Sequence, residues 1–138
     1  EIYTLSLHDA LPIFGRSIPP MVAACGVEAF RMLQESNDLQ DKLHENVVYF
    51  VTKMKAARFD IKPTQSAICA VMLYDAKLSQ DFAAALLEEG IYVTGFYYPV
   101  VPKGEARIRV QLSAAHERAH LDKAIEAFVK IGKKLNII

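Results

Sequence analysis

The stretch Gly90–His116, GIYVTGFYYPVVPKGEARIRVQLSAAH, predicts a strand, a loop, a second strand and the start of a helix. Residues 91–93 are β-branched or aromatic and follow a glycine, which is typical of a strand entered from a helix C-terminus. Two prolines and a glycine then interrupt residues 96–105, so we expect a rigid, irregular loop there. The stretch therefore holds two predicted strands separated by a structured connection.

The second strand has a clear period of two. Ile108, Val110 and Leu112 would face one side, whereas Arg107 and Arg109 would face the other. One face of this strand is therefore predicted to be core. The opposite face carries two guanidinium groups.

Guanidinium groups bind carboxylates and phosphates through two parallel hydrogen bonds. Arg107 and Arg109, beside a loop that holds Tyr97 and Tyr98, therefore suggest an anion-binding site. On spacing alone the more common outcome is that both arginines are solvated or paired with a neighbouring acid. The tyrosines could line a substrate entrance, or one of them could belong to the core.

Composition limits the class of protein. The chain has 138 residues, of which 52% are hydrophobic, and this is enough for one domain with its own core. Sixteen basic and sixteen acidic residues balance, so no basic surface points to nucleic acid, and no apolar run reaches membrane-spanning length. Cys25 and Cys69 lie far apart in apolar contexts. We expect both to be small buried side chains in a reducing compartment, by default the cytoplasm or an organelle matrix.

Residues 1–13, EIYTLSLHDALPI, differ in character from the remainder. They resemble the translation of one reading frame of a widely used short-read sequencing adapter. We therefore expect this segment to be non-native, and it is excluded from fold reasoning. The same interpretation predicts that residues 14–138 are the C-terminal part of a longer protein.

The order of predicted elements indicates the fold class. Two helices come first, over about residues 19–35 and 38–58, followed by a buried strand at 66–74 and a helix capped by Ser79. The two strands of the opening stretch and a last helix complete the chain. This order predicts an α+β fold with a small, largely antiparallel sheet covered by helices.

No set of residues in the chain predicts a complete catalytic site. No lysine lies in an apolar, loop-presented setting, and no metal spacing, Ser/His/Asp order or pair of facing carboxylates is evident. His116 could contact a substrate or cap the last helix, and its position at a helix start favours the cap. The residues by themselves therefore predict a binding domain.

The words YVTGFYYPVVPKG and ARIRVQLSAAH resemble the C-terminal signature of the α-oxoamine synthases, most of all their glycine C-acetyltransferase branch. The resemblance extends over residues 17–138. It implies the small C-terminal domain of the fold-type I, aspartate aminotransferase-like transferases that use pyridoxal 5′-phosphate (PLP). The cofactor lysine would then lie in a preceding large domain. The cofactor would generate a carbanion from glycine that attacks acetyl-CoA, giving 2-amino-3-ketobutyrate and CoA.

The resemblance also implies roles for particular residues. The second arginine of the family's R-x-R word is Arg109, which would bind the carboxylate of glycine, with Arg107 in support. A small polar pair before the first helix reaches the cofactor phosphate across a homodimer interface, and Ser17 is the candidate here, after Gly15 and Arg16. The alternative is a standalone α+β ligand-binding or regulatory module that uses Arg107 and Arg109 to bind an anion. Sister enzymes that join other amino acids to other acyl-CoAs share the same scaffold.

Overall fold

A computed structural model describes residues 18–138 of the chain. The predicted non-native segment 1–13 and the predicted phosphate contact Ser17 lie outside these residues. The chain divides after Asn37 into two units, which are described separately.

The first unit contains helix α1, Pro20–Glu35, which confirms the predicted span. Its proline lies at the helix start, where a missing backbone N–H costs nothing. None of its residues is buried. Cys25 is therefore exposed, and the prediction that it is a buried side chain is wrong.

The second unit is a sheet of four strands with helices, and every pair of neighbouring strands is antiparallel. The strand order is β1-β2-β4-β3. This architecture confirms the predicted α+β class. The elements are α2 (Asp38–Ala56), β1 (Ile61–Lys62), β2 (Ile68–Tyr74), α3 (Ala76–Glu88), β3 (Thr94–Phe96), β4 (Ala106–Gln111) and α4 (Arg118–Lys134).

Four phenylalanines form the centre of the core. Phe50 of α2, Phe82 of α3 and Phe128 of α4 are fully buried, and Phe59 joins them from the connection before β1. Their ring centroids lie 5.4–6.3 Å apart, and three of the four pairs meet edge to face, which is the favoured aromatic geometry. The core therefore lies on one face of the sheet, between the strands and α2, α3 and α4.

Strand β3 begins three residues later than predicted. Gly90 adopts a left-handed φ of 78°, and the N–H of Ile91 donates to the carbonyl of Leu86 at 2.9 Å, which closes the end of α3. The ladder with β4 starts only at Thr94, opposite Arg109. Residues 91–93 are β-formers in composition, but the register gives them no ladder partner.

Two other local predictions are corrected. Ser79 is not the cap of α3. Asp75 is, since its carboxylate accepts a hydrogen bond from the N–H of Leu78 at 2.7 Å, and Ser79 is buried one turn later. Strand β1, with only two residues, lies where a connector was expected, because so short a strand shows no alternation. Within residues 18–138, no helix combines the length and apolar character that a membrane span requires.

Candidate functional site

The arginines lie on the outer face of the sheet, defined here as the face that carries the residues alternating with the buried Ile108 and Val110 of β4. Arg109 is flanked across the sheet by Ala70 of β2 and Thr94 of β3. Burial on one face and exposure on the other follow from the period-two pattern. The predicted division of β4 into a core face and an arginine face is therefore confirmed.

Arg107 is engaged with an acid. Its Nη2 lies 3.4 Å from Oε2 of Glu105, and Nζ of Lys62 lies 3.5 Å from the same oxygen. The Arg107 side chain is only 19% exposed. The expected pairing with a neighbouring acid is therefore found for Arg107.

Arg109 has a different environment. Its guanidinium carbon lies 5.6 Å from the centroid of the Phe96 ring, in a cation–π contact. Among residues 18–138, no carboxylate lies within ion-pair distance of it. A cation–π contact holds the guanidinium group without using its N–H groups as hydrogen-bond donors. Arg109 is therefore an exposed cation held in place without being neutralised.

A hollow of about 480 Å³ opens beside this arginine and is called the Arg109 hollow. It forms because residues 91–93 separate from the end of β4 where a longer ladder would have joined them. Its lining residues are Tyr92, Val93, Thr94, Phe96, Arg109, Gln111, Leu112, Ser113 and His116. No lysine is among them, so these residues offer donors for a carboxylate but no amine for a PLP aldehyde. The lining of this hollow could therefore hold the carboxylate of a substrate, but it supplies no lysine to anchor the cofactor.

The loop tyrosines lie elsewhere. Tyr97 and Tyr98 are 36% and 58% exposed, so neither belongs to the core, and neither lines the Arg109 hollow. The ammonium group of Lys103 lies 5.2 Å from the Tyr98 ring centroid. The loop approaches the arginines through Val100 and Val101 instead, which line a separate hollow of about 320 Å³ with them.

His116 closes a turn just before α4. Its Nδ1 accepts a hydrogen bond from the backbone N–H of Ser113 at 3.2 Å. The favoured interpretation of His116 as the helix cap is wrong, because α4 starts at Arg118 and the N–H of Glu117 donates to Nδ1 of His120 at 3.1 Å. His116 instead lines the Arg109 hollow.

Asn46 of α2 is a residue that sequence reasoning missed. It is 4% exposed, and its amide donates to the carbonyls of Ser113 at 3.1 Å and of His116 at 2.9 Å. A buried amide with two backbone partners fixes the turn that carries His116. The signal was available, since Asn46 lies three residues after Leu43 and four before Phe50 on the apolar face of α2.

Potential metal ligands are not clustered in the described part of the chain. Across residues 18–138, no group of three or more histidine, cysteine, aspartate or glutamate side chains is arranged to hold a metal ion. Cys69 is buried, and this burial raises the pKa of its thiol, which favours the protonated, unreactive form. The candidate site is thus a cationic hollow that can bind and orient a small anion.

Comparison with known proteins gives three kinds of match. The profile of the aminotransferase class I and II family matches residues 10–128. The 2-amino-3-ketobutyrate coenzyme A ligase of Escherichia coli (strain K12) is 46% identical over 126 residues, which are 91% of this chain and 32% of that protein. The mitochondrial enzyme of the same name from Mus musculus is 46% identical over 121 residues, 88% of this chain and 29% of its own length. The 8-amino-7-oxononanoate synthase of Thermosipho melanesiensis is also 46% identical over 126 residues, with 91% and 32% covered.

Solved structures give the same fold. Serine palmitoyltransferase from S. paucimobilis with bound PLP superposes with a TM-score of 0.82 at 30% identity, over 91% of this chain and 32% of that one. The 8-amino-7-oxononanoate synthase of Francisella tularensis gives a TM-score of 0.73 at 24% identity, over 88% of this chain and 35% of that one, and supports the fold alone. The chain spans about a third of the length of the curated relatives that it matches.

Proposed function

This chain belongs to the aminotransferase class I and II family, and we propose on that premise that it serves a PLP-dependent acyltransferase that joins glycine to acetyl-CoA. The product would be 2-amino-3-ketobutyrate, with CoA released. The observation that carries the proposal is Arg109, a positioned guanidinium with an open hydrogen-bonding edge above a hollow that has room for a small substrate. The relatives named as 2-amino-3-ketobutyrate coenzyme A ligases support the choice of substrates.

In this proposal Arg109 binds the carboxylate of glycine. Two parallel charge-assisted hydrogen bonds hold the carboxylate plane and so fix how the amino acid is turned about the bond to its α-carbon. When bound, PLP would supply an electron sink for negative charge on that carbon. Arg107 stays paired with Glu105 and does not contact the substrate.

The predictions about the extent of the native chain and its contact with the cofactor phosphate belong to the same proposal. Residues 14–138 would correspond to the C-terminal part of the enzyme, and Ser17 would contact the cofactor phosphate. Residues 1–13 would be absent from the native gene. Reading the source DNA by a method that uses no such adapter tests the last point, and finding the same codons there would refute it.

A homodimer is also part of the proposal, and helix α1 supports it. Large apolar side chains of this helix are exposed, at 54–75% for Met21, Val22, Val27 and Phe30. Such a surface commonly marks a contact with another chain. We expect the 138-residue chain to self-associate in sedimentation analysis. Met21→Glu with Phe30→Glu should weaken the association, whereas a monomer at every concentration would count against it.

The catalytic proposal can be tested in a chimera. The matching region of the E. coli 2-amino-3-ketobutyrate coenzyme A ligase is replaced with that of this chain, and kcat/KM is measured for glycine with acetyl-CoA. L-Alanine and longer acyl-CoA thioesters serve as competing substrates. We expect glycine and acetyl-CoA to be preferred, and a preference for another pair would move the proposal to a sister reaction.

A folded chimera with no acyltransferase activity toward any pair would refute the proposal. In that case binding of a small carboxylate by the 138-residue chain, lost in Arg109→Ala, would favour the alternative of a standalone anion-binding module. The circular dichroism of the chimera and its Tm provide the control for folding.

A further inference from the structure

Arg109 and His116 line one hollow from different elements. Arg109 is on β4, whereas His116 is on the turn that precedes α4. The hollow lies between them because residues 91–93 do not close the sheet at this end. A ligand held by the arginine therefore has a second polar side chain within the same space.

The tautomer of His116 follows from its hydrogen bond. The backbone N–H of Ser113 donates to Nδ1, so that atom carries no proton, and the neutral ring bears its proton on Nε2. Among residues 18–138, no side chain or carbonyl accepts a hydrogen bond from Nε2. His116 is thus a donor with one N–H available to a ligand.

The position of this donor is fixed by the core. Asn46 is buried and clamps the carbonyls at both ends of the turn, Ser113 and His116. The ring is held from the other side by its own bond to the Ser113 N–H. Binding groups held in this way lose little entropy when a ligand arrives.

We propose that His116 is a second binding residue of the Arg109 hollow. Its Nε2–H donates to a carbonyl oxygen on a small carboxylate whose charged end Arg109 holds. The ligand class is therefore a short keto acid and not a simple fatty acid. The inference rests on the proposed function only where it identifies that ligand with the 2-amino-3-keto acid product. Two-point binding can be tested without any turnover.

The test compares two ligands that differ in one group. Acetoacetate and butanoate have the same chain length and the same charge, but only acetoacetate carries the keto oxygen. Their affinities for the 138-residue chain are measured by titration followed in ¹H–¹⁵N spectra. We expect acetoacetate to bind roughly three- to tenfold more tightly, as one neutral hydrogen bond provides. Long-range imidazole spectra should show the proton of His116 on Nε2.

Four variants test whether the preference for acetoacetate over butanoate comes from His116. His116→Phe should abolish it by bringing the affinity for acetoacetate down to that for butanoate, and His116→Gln should restore part of it, because the amide nitrogen of glutamine can replace Nε2 as a donor. Arg109→Ala should lower the affinity for both ligands. His120→Phe is the matched control. His120 also accepts a backbone N–H at Nδ1, but it lines only a neighbouring hollow, which includes His116 and lacks Arg109.

Equal affinities of the unmodified chain for the two ligands would overturn the inference. A preference that survives in His116→Phe, with dispersed spectra showing that the variant is folded, would overturn it equally. If the chimera proves inactive but the keto-acid preference is present and depends on His116, the inference stands and only the proposed reaction fails.

Discussion

The side chains on the two faces of β4 are positioned by different interactions, although they alternate along one strand. On the inner face, Ile108 is fully buried against the aromatic core. On the outer face, Arg107 and Arg109 point away from that core and meet different partners. Burial alone fixes the inner residues. The outer residues are fixed by which charges lie nearby, and this leaves one arginine neutralised and the other open.

The largest expected effect is on the inner face. Ile108→Ala removes a fully buried side chain between α3 and the sheet, and it should lower the free energy of unfolding by about 2–5 kcal/mol. Urea titration of the 138-residue chain measures this. Arg109→Ala is the matched outer-face control and should change stability by less than about 0.5 kcal/mol. Equal losses in both variants would mean that the two faces are not distinct.

The next largest effect is expected on catalysis with glycine when Arg109, the arginine without an acidic partner, is replaced. In the chimera, Arg109→Ala should lower kcat/KM for glycine by about 30- to 1000-fold, corresponding to about 2–4 kcal/mol for a charge-assisted bidentate contact. Arg109→Lys should recover only part of this, because an ammonium group keeps the charge and loses the paired geometry. Arg107→Ala should be milder. A larger loss from Arg107→Ala than from Arg109→Ala would show that the two roles are reversed.

The sequence predicted the inner face well because burial has a period. Alternation placed Ile108 and Val110 in the core and both arginines outside it, and the antiparallel α+β class followed from element order. The resemblance to the α-oxoamine synthases is confirmed by the family match and the relatives. These signals are local along the chain, so one sequence was enough to find them.

The surroundings of the outer-face arginines could not be predicted in this way, because they depend on contacts that do not recur at a regular spacing in the sequence. Glu105 pairs with both Arg107 and Lys62 because the loop before β4 returns to the sheet. The Arg109 hollow exists because residues 91–93 leave the ladder, and composition alone had placed a strand there. His116 was assigned to a helix cap because the start of α4 could not be located to within two residues.

A smaller loss of stability is expected from a substitution where β3 approaches α3. Gly95 pairs with Ile108 on the inner face, and a Cβ there would lie 2.9 Å from the backbone oxygen of Ser79. Gly95→Ala must therefore shift the strand or the helix, and we expect a loss of about 1–3 kcal/mol in stability. Gly26→Ala, where a Cβ would meet nothing within 4 Å, is the control and should not destabilise the chain. Full stability of Gly95→Ala would show that this contact is not tight.

The smallest expected effect tests what separates the two arginines. Glu105 is 41% exposed, and its contacts to Arg107 and Lys62 are long, so Glu105→Gln should change stability by only about 0–1 kcal/mol, and less at high salt. Its effect on anion binding should be clearer. Without the carboxylate, Arg107 adds its full charge to the outer face, and butanoate affinity at low salt should rise a few-fold. Lys62→Gln is the matched control: it leaves the carboxylate beside Arg107 and removes a cation, so the affinity should not rise. If Glu105→Gln leaves butanoate binding unchanged, the acid is not what distinguishes Arg107 from Arg109, and the difference must come from the Phe96 contact alone.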